Sequence, residues 1–171
     1  VASLNEEIAN KTVTLMSPSK TWNLPGLGFA FAIIPNYKLR KKFLKTMKGI
    51  VPYPGQLGLL AGQAAYSQGE NWRLELITHL KQNRYIIESF IKTQMPKIKF
   101  IPGEASYLAW LDMRQLNIED PYTFFLKNGV ALSNGKDFGS AGFLRLNFGT
   151  TTALVKKALE RIFKAYCLID K

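Results

Sequence analysis

Residues 17–27 read SPSKTWNLPGL and follow directly on a β-branched and apolar segment, Thr12–Met16. That segment predicts a short buried strand. The prolines and glycine of residues 17–27 predict a turn at the exit of the strand. Lys20 is therefore expected on a turn, with two serine hydroxyls close by and an aromatic residue behind it. A lysine held in this way can lose its proton and act as a nucleophile toward an aldehyde.

The spacing of apolar residues, and the prolines and glycines that interrupt it, predict the other helices and strands in the first part of the chain. The continuous apolar run Phe29–Ile34 predicts a strand buried on both faces. Prolines and glycines make Gly49–Gly55 a loop. Gln56–Gln68 predicts a closely packed helix, and Glu70–Met95 predicts a long helix that Pro96 stops.

After the long helix, short predicted strands and helices follow one another. This pattern predicts a compact α+β unit. Strands are predicted at Ala105–Asp112, Val130–Leu132 and Phe143–Phe148. Helices are predicted after the Asp120-Pro121 pair and from a Thr151 or Thr152 cap through Leu168. We place the change of domain near Pro96, which gives units 1–95 and 96–171.

The net charge of +11 raises the question of a nucleic-acid partner. Much of this charge lies in residues 38–48, where Leu39, Phe43 and Met47 recur at helical spacing among lysines. That pattern predicts a surface helix with a solvated basic face. No nucleic-acid motif and no cluster of zinc ligands accompanies it, so neither a nucleic-acid partner nor a metal site is predicted.

The single cysteine, Cys167, excludes an internal disulfide and is expected to be a buried or half-buried thiol on the last helix. No apolar run reaches the roughly 18 residues of a membrane-spanning helix, and residues 1–7 do not resemble a signal peptide. We therefore expect a cytoplasmic protein that does not contact membranes. The chain begins without methionine inside a helix-like segment, so we expect an upstream part of the protein.

Two strings resemble one enzyme family. SPSKTWNLPGL resembles the cofactor-lysine segment of fold-type I pyridoxal-phosphate enzymes, in the branch of the cystathionine β-lyases and class I and II aminotransferases. Residues 134–149, NGKDFGSAGFLRLNFG, resemble the C-terminal signature of the same enzymes, a glycine-bearing loop before a strand with Arg-x-Asn-x-Gly. The resemblance covers the whole chain but only the C-terminal half of a family member.

The resemblance implies a role for four residues. Lys20 would form the internal imine with pyridoxal 5'-phosphate and move the substrate's α-proton. Ser17 and Ser19 would bind the phosphate. Arg145 would bind the α-carboxylate of an amino-acid substrate, because a guanidinium offers two parallel donors. Tyr107 matches a family strand. It is expected to be a structural residue that could also line the site.

The resemblance also implies an α/β architecture and an assembly. The expected fold is the C-terminal part of the large pyridoxal-phosphate-binding domain, a mixed sheet with flanking helices, followed by a small α+β domain. The phosphate loop, the ring-stacking aromatic residue and the aspartate at the pyridine nitrogen would lie in the missing half. A homodimer is expected, with Gly49–Gly55 as the loop that reaches the partner subunit.

The expected activity is α,β-elimination by a C–S lyase, and a class I or II aminotransferase is the alternative. Gly28 favours the lyase branch, because many aminotransferases carry arginine there. His79 matches no catalytic position and is expected to be structural or exposed. The non-enzyme alternative is an inactive fragment with a basic interaction face.

Ser17 and Lys20 also match the Ser-x-x-Lys pattern of serine acyltransferases, in which both residues share one helical turn. Pro25 and Gly26 would end such a helix almost at once, and the Ser-Asp-Asn and Lys-Thr-Gly partners are absent from the sequence. This alternative is therefore the weaker one.

Overall fold

The computed structural model of the protein describes residues 1–169. These residues form a mixture of helices and sheets, as predicted. They divide into two compact units, Val1–Glu75 and Leu76–Lys171, each described here by itself. Residues 170 and 171, the end of the predicted unit 96–171, lie outside the described residues.

The first unit contains two short strands and the helices around the Lys20 turn. Asn5 and Asn36 begin their helices by accepting a backbone N–H on the side-chain oxygen. The elements are α1 (Glu6–Asn10), β1 (Thr14–Met16), β2 (Phe31–Ile33), α2 (Tyr37–Met47), α3 (Gln56–Gln68) and the start of α4 (Glu70–Gln94). The predicted loop Gly49–Gly55 is confirmed, because no helix or strand forms between α2 and α3.

The two strands of the first unit are exposed, which corrects the prediction of buried strands. β1 and β2 pair antiparallel, with Leu15 opposite Ala32. The Leu15 side chain is 68% exposed and that of Ile33 is 48% exposed. A two-stranded ribbon has two open faces, and the described residues cover neither face of this one fully. Only antiparallel pairs form among residues 1–169, so the mixed sheet of the large domain stays a prediction.

One face of α3 packs directly against the segment that follows the Lys20 turn. Gly58 and Gly62 are buried on this face. A Cβ at Gly58 would lie 2.6 Å from the Leu27 carbonyl oxygen, and one at Gly62 would overlap the Phe29 ring. The small residues predicted for α3 therefore permit the close approach of a neighbouring element.

α2 is the basic surface helix that the sequence predicts. None of its residues is buried, and its lysines are exposed while Leu39, Phe43 and Met47 are half-buried. The apolar stripe thus lies against the protein and the basic face lies in solvent.

The long helix α4 is confirmed, but the packing boundary lies inside it, between Glu75 and Leu76. Its buried residues, Asn83, Ile87 and Ile91, all come after this point. Ile87 and Ile91 belong to the core of the second unit, so most of α4 packs with that unit and not with the first. The assignment of 1–95 and 96–171 to a large and a small domain stays a prediction.

The second unit is an antiparallel four-stranded sheet packed against helices. The strand order is β3-β4-β6-β5. The elements after α4 are β3 (Lys99–Ile101), β4 (Leu108–Asp112), α5 (Pro121–Lys127), β5 (Ser133–Asn134), β6 (Phe143–Asn147) and α6 (Thr152–Tyr166). β3 was not predicted from the sequence, and the strand predicted at Val130–Leu132 is wrong, because pairing with β6 begins only at Ser133.

The core of the second unit lies on one face of this sheet. Leu144 and Leu146 of β6 are buried, as are Ala109 and Leu111 of β4. The helices contribute Ile87, Ile91, Phe125, Val155, Leu159 and Ile162 to the same cluster. Because side chains alternate along a strand, Arg145 lies on the opposite face.

Two expectations about the ends of the chain have clear outcomes. Thr151 begins α6, and its hydroxyl accepts the Leu154 N–H as predicted. Cys167 is exposed, which corrects the buried or half-buried expectation. The reason is position, because Cys167 follows the last residue of α6 and lies off the buried stripe that ends at Ala165.

Candidate functional site

Lys20 lies on a turn that backbone hydrogen bonds close at both ends. The Trp22 N–H donates to the Pro18 carbonyl at 2.9 Å, and the Leu24 N–H donates to the Ser19 carbonyl at 3.1 Å. Pro18 is fully buried and anchors the start of the turn. The backbone is thus fixed, while the Lys20 side chain is exposed.

The hydroxyl groups of Ser17 and Ser19 form a short chain of hydrogen bonds. The Ser17 Oγ lies 2.7 Å from the Phe29 carbonyl oxygen and 2.9 Å from the Ser19 Oγ. A carbonyl only accepts, so Ser17 gives its single proton to Phe29 and Ser19 donates to Ser17. The Ser19 N–H also points to the Ser17 Oγ, at 3.2 Å. Ser17 therefore joins the turn to the segment just before β2, and Ser19 has the hydroxyl that can turn to another acceptor.

Lys20 itself forms no hydrogen bond or ion pair with any of residues 1–169. The serine acyltransferase alternative requires Ser17 to give its proton to Lys20 from the same helical turn. Here the segment is a non-helical turn, and the Ser17 proton goes to Phe29. The geometry does not fit that alternative.

Arg145 lies in the middle of β6, on the sheet face that is turned away from the core. Its partners across the sheet are Trp110 on β4 and Ser133 on β5. Residues directly opposite each other in an antiparallel pair share one face. The topology therefore gathers Trp110, Ser133 and Arg145 on the same surface.

Two neighbours hold the guanidinium of Arg145. Its Nη2 donates to the Ser133 Oγ at 3.3 Å, and its Cζ lies 4.2 Å from the centre of the Phe138 ring, a cation–π contact. The Nε atom is buried and has no hydrogen-bond partner in the described part of the chain. A guanidinium carries five N–H donors, and the described residues accept from one of those of Arg145, the Nη2 donor to Ser133.

A tight glycine turn places Phe138 over Arg145. The Asn134 side chain accepts the Lys136 N–H and begins the short 3₁₀ turn Gly135–Phe138. A Cβ at Gly135 would overlap the carbonyl oxygens of Phe143 and of another loop residue. Only glycine fits there, so the glycine-bearing loop of the second string has a physical reason.

A second arginine, Arg114, which lies two residues after the end of β4, is already paired. Its Nε and Nη2 donate to the two carboxylate oxygens of Asp112 at 2.9 and 2.8 Å. This bidentate pair uses the donors that would otherwise bind a carboxylate ligand. Of these two arginines, Arg114 is paired with a carboxylate, whereas Arg145 forms no ion pair with the described residues.

The Asp112–Arg114 pair predicts a dependence of stability on pH. Hydrogen bonds from the Arg114 side chain hold the pKa of Asp112 below its usual range, against the opposing effect of burial. A carboxylate with a lowered pKa stabilises the fold above its unfolded value of about 3.9, and this stabilisation is lost as the pH falls through the folded pKa. Arg114→Ala should therefore flatten the fall of the melting temperature between about pH 5 and pH 3. Arg161→Ala, at an exposed arginine, is the control, and equal slopes in both variants would contradict the assignment.

Asn83 is a buried polar residue that the sequence analysis missed. Its Nδ2 donates to the carbonyls of Phe148 and Thr150, at 3.1 and 2.9 Å, and its Oδ1 accepts the Thr152 hydroxyl at 2.8 Å. Nε2 of His79 lies 2.8 Å from the same Thr150 carbonyl and must carry a proton to donate to it. His79 is thus structural, as one of the two expectations had it, and Asn83 fixes the backbone that follows β6.

The segment that follows Arg145 has further local support. The Asn147 side chain accepts the Gly149 N–H at 2.9 Å, and the Phe148 N–H donates to the Tyr107 carbonyl at 2.9 Å. A Cβ at Gly149 would lie 3.2 Å from the Tyr107 ring. Asn147 and Gly149 of the motif therefore shape the end of the strand, and Tyr107 packs against it as a structural residue.

Residues 1–169 hold neither a cluster of metal ligands nor a helix suited to a bilayer. No three His, Cys, Asp or Glu side chains there come together as metal ligands. None of the helices there has both the length and the apolar composition needed to cross a bilayer. Ser17, Ser19 and Lys20 lie together in the first unit, and Arg145 lies in the second.

The comparisons with known proteins agree on one family. Residues 1–162 match the sequence model of the family described as aminotransferase class I and II. The chain is 37% identical over 167 residues to cystathionine beta-lyase PatB of Bacillus subtilis. This alignment covers 94% of this chain and 43% of the relative. Two solved structures superpose with a TM-score of 0.93. One is OvoB, at 39% identity over 96% of this chain and 43% of that one. The other is cystalysin of Treponema denticola with its pyridoxal 5'-phosphate cofactor, at 31% identity over 98% of this chain and 44% of the cystalysin chain.

The match extends over nearly the whole chain, and the chain spans less than half the length of the relatives that it matches. The predicted resemblance to a part of such an enzyme is therefore confirmed, and the placement of that part in the C-terminal half stays a prediction. The Lys20 turn and the Arg145 strand lie within the matched residues. The chain belongs to the class I and II aminotransferase family.

Proposed function

We propose that the complete protein is a pyridoxal-phosphate-dependent C–S lyase, which breaks the bond between the β-carbon and sulfur of an amino acid. The observation that carries this proposal is Lys20, an exposed amine on a fixed turn beside the Ser19 hydroxyl that has no partner among residues 1–169. The names of the relatives, a cystathionine beta-lyase and a structure that contains pyridoxal 5'-phosphate, support it.

The residues of the first unit fit the cofactor. Lys20 would hold pyridoxal phosphate by a covalent bond at Nζ, since none of the described residues bonds to this amine. Ser19 would donate to the phosphate once its hydroxyl turns away from Ser17. Ser17 would support the turn and reach the phosphate only by giving up the Phe29 carbonyl. When bound, the cofactor supplies an electron sink that stabilises negative charge on the substrate's α-carbon.

The protein's own residues would then orient the substrate and move its proton. Arg145 would bind the α-carboxylate with the donors that Ser133 and Phe138 leave available. The substrate's amino group would take the place of Lys20 on the cofactor, and the amine of Lys20 released in this way would take the proton from Cα. The electron pair left at Cα forms a double bond to Cβ as the Cβ–S bond breaks, and the sulfur leaves with its electrons as a thiolate. Uptake of water by the remaining unsaturated amino acid gives pyruvate and ammonia.

The second candidate is an aminotransferase, for which the name of the family is the reason. Gly28 favours the lyase, because its φ of 57° lies in the left-handed region, where an arginine would be strained. Lys20 and Arg145 serve either reaction. Side-by-side assays of the complete protein with cystathionine and with an amino-acid and keto-acid pair would separate the two.

The finer architecture and the assembly are part of this proposal. Residues 1–95 would complete the large cofactor-binding domain, 96–171 would form the small domain, and the protein would be a cytoplasmic homodimer. The loop Gly49–Gly55 supports the dimer, since Ile50 is 77% exposed and Tyr53 is 98% exposed. Apolar side chains so open to solvent are typical of a surface that a partner covers.

The test is covalent labelling of the complete protein. Incubation with pyridoxal phosphate followed by borohydride reduction should leave one cofactor on the peptide that contains Lys20. Lys20→Ala should take no label, and Lys48→Ala, at another exposed lysine, should be labelled like the wild type. A wild-type protein of full length without label at Lys20 would refute the proposal.

A further inference from the structure

Trp22, two residues after Lys20, ties the Lys20 turn to the junction of two helices. Its indole N–H donates to the carbonyl of Gly69 at 2.9 Å. Gly69 is the single residue between α3 and α4. A residue of the turn is thus bonded to a point 47 positions away in the sequence.

The surroundings of the indole leave it little freedom. Its ring meets Tyr66 edge to face, with ring centres 4.8 Å apart, and Tyr66 meets Phe31 in the same manner at 5.6 Å. A Cβ at Gly69 would overlap the indole nitrogen, so the backbone approaches the ring as closely as glycine allows. Trp22 is therefore held by a hydrogen bond, by ring contacts and by its own N–H, which closes the turn on Pro18.

We infer that Trp22 is a positioning residue, which fixes the direction in which Lys20 is presented. This inference rests on the proposed function, in which the Lys20 amine must meet a held aldehyde. The Lys20 side chain has no partner in the part of the chain that the structure describes, so the turn sets the starting point of its flexible stem. Trp22 closes this turn and anchors it to Gly69. Misplacement of a reacting group by about 1 Å can cost as much as 10²-fold in rate.

The test compares two identical substitutions in the complete protein. Trp22→Phe keeps an aromatic ring and removes the indole N–H. Trp72→Phe is the matched control, because Trp72 lies in the same unit, is 45% exposed and belongs to a helix. We expect Trp22→Phe to slow borohydride-fixed labelling of Lys20 by about fivefold, the effect of one hydrogen bond. The pH midpoint of the absorption band of the lysine-bound cofactor should also move, and Trp72→Phe should leave both quantities at the wild-type value.

A second variant tests the contact itself. Gly69→Ala places a methyl group against the indole and should change both quantities in the same direction as Trp22→Phe. If both act through one contact, the double variant should label no more slowly than the slower single variant. Labelling and pH midpoint at the wild-type value in Trp22→Phe would overturn the inference while the proposed function stands. A wild-type protein that takes no label would refute the proposed function, and this inference with it.

Discussion

Arg145→Gln in the complete protein should lower kcat/KM for an amino-acid substrate by on the order of 10³-fold. The guanidinium of Arg145 would give the substrate carboxylate two charge-assisted hydrogen bonds, each contributing about 1.5–3 kcal/mol. Glutamine keeps much of the length of the side chain and removes the charge and the paired donors. Steady-state kinetics with cystathionine measure the effect.

Arg145→Lys separates charge from geometry. Lysine keeps the charge but lacks the planar pair of donors, so the loss should lie between the wild type and Arg145→Gln. Arg161→Gln is the control, since Arg161 is exposed on α6 and should be near wild type. Covalent labelling of Lys20 should persist in Arg145→Gln, because it needs no substrate carboxylate. Unchanged kcat/KM in Arg145→Gln would show that another group binds the carboxylate.

Asn83→Asp should lower the free energy of unfolding by about 3–5 kcal/mol. The Asn83 amide donates to the carbonyls of Phe148 and Thr150. The substitution replaces this donor by a carboxylate oxygen, so two hydrogen bonds are lost and a buried negative charge faces carbonyl oxygens. Asn71→Asp makes the same change at an exposed site of the same helix and should cost little. Urea unfolding of both variants beside the wild type measures the difference.

The pH dependence of this deficit identifies its cause. A buried carboxyl that faces carbonyl oxygens has a raised pKa, and its protonated form can donate to one of them. The deficit of Asn83→Asp should therefore shrink as the pH falls through that raised pKa. A deficit that does not change with pH would indicate a steric effect in place of an electrostatic one.

Much of the fold follows from local patterns in the sequence. The long helix is predicted between Gly69 and Pro96 and is found at Glu70–Gln94, because glycine and proline interrupt a helix through their own backbone. The cap at Thr151 is equally local. The strands were harder, since β5 has two residues and depends on its partner β6.

Burial could not be predicted so well. The apolar run Phe29–Ile34 indicates a strand covered on both faces, yet Ile33 is half exposed. Apolar composition states what a strand can bury, whereas the neighbours present decide what it does bury. Cys167 is the same case at the end of α6, where a place two positions beyond the last buried residue leaves the thiol exposed.

By itself the sequence determined which residues are the candidates for the chemistry. Lys20 and Arg145 stand in two ordered strings, and the family match confirms the resemblance that those strings carry. Only the tertiary structure decided how their surroundings are arranged. In the folded chain the Ser17 hydroxyl donates to the Phe29 carbonyl, and the Arg145 guanidinium lies over the Phe138 ring. The Trp22 indole donates to the Gly69 carbonyl. None of these contacts joins neighbours in the chain, and a hydrogen bond or a ring contact exists only once folding has brought both partners to a fixed distance and angle.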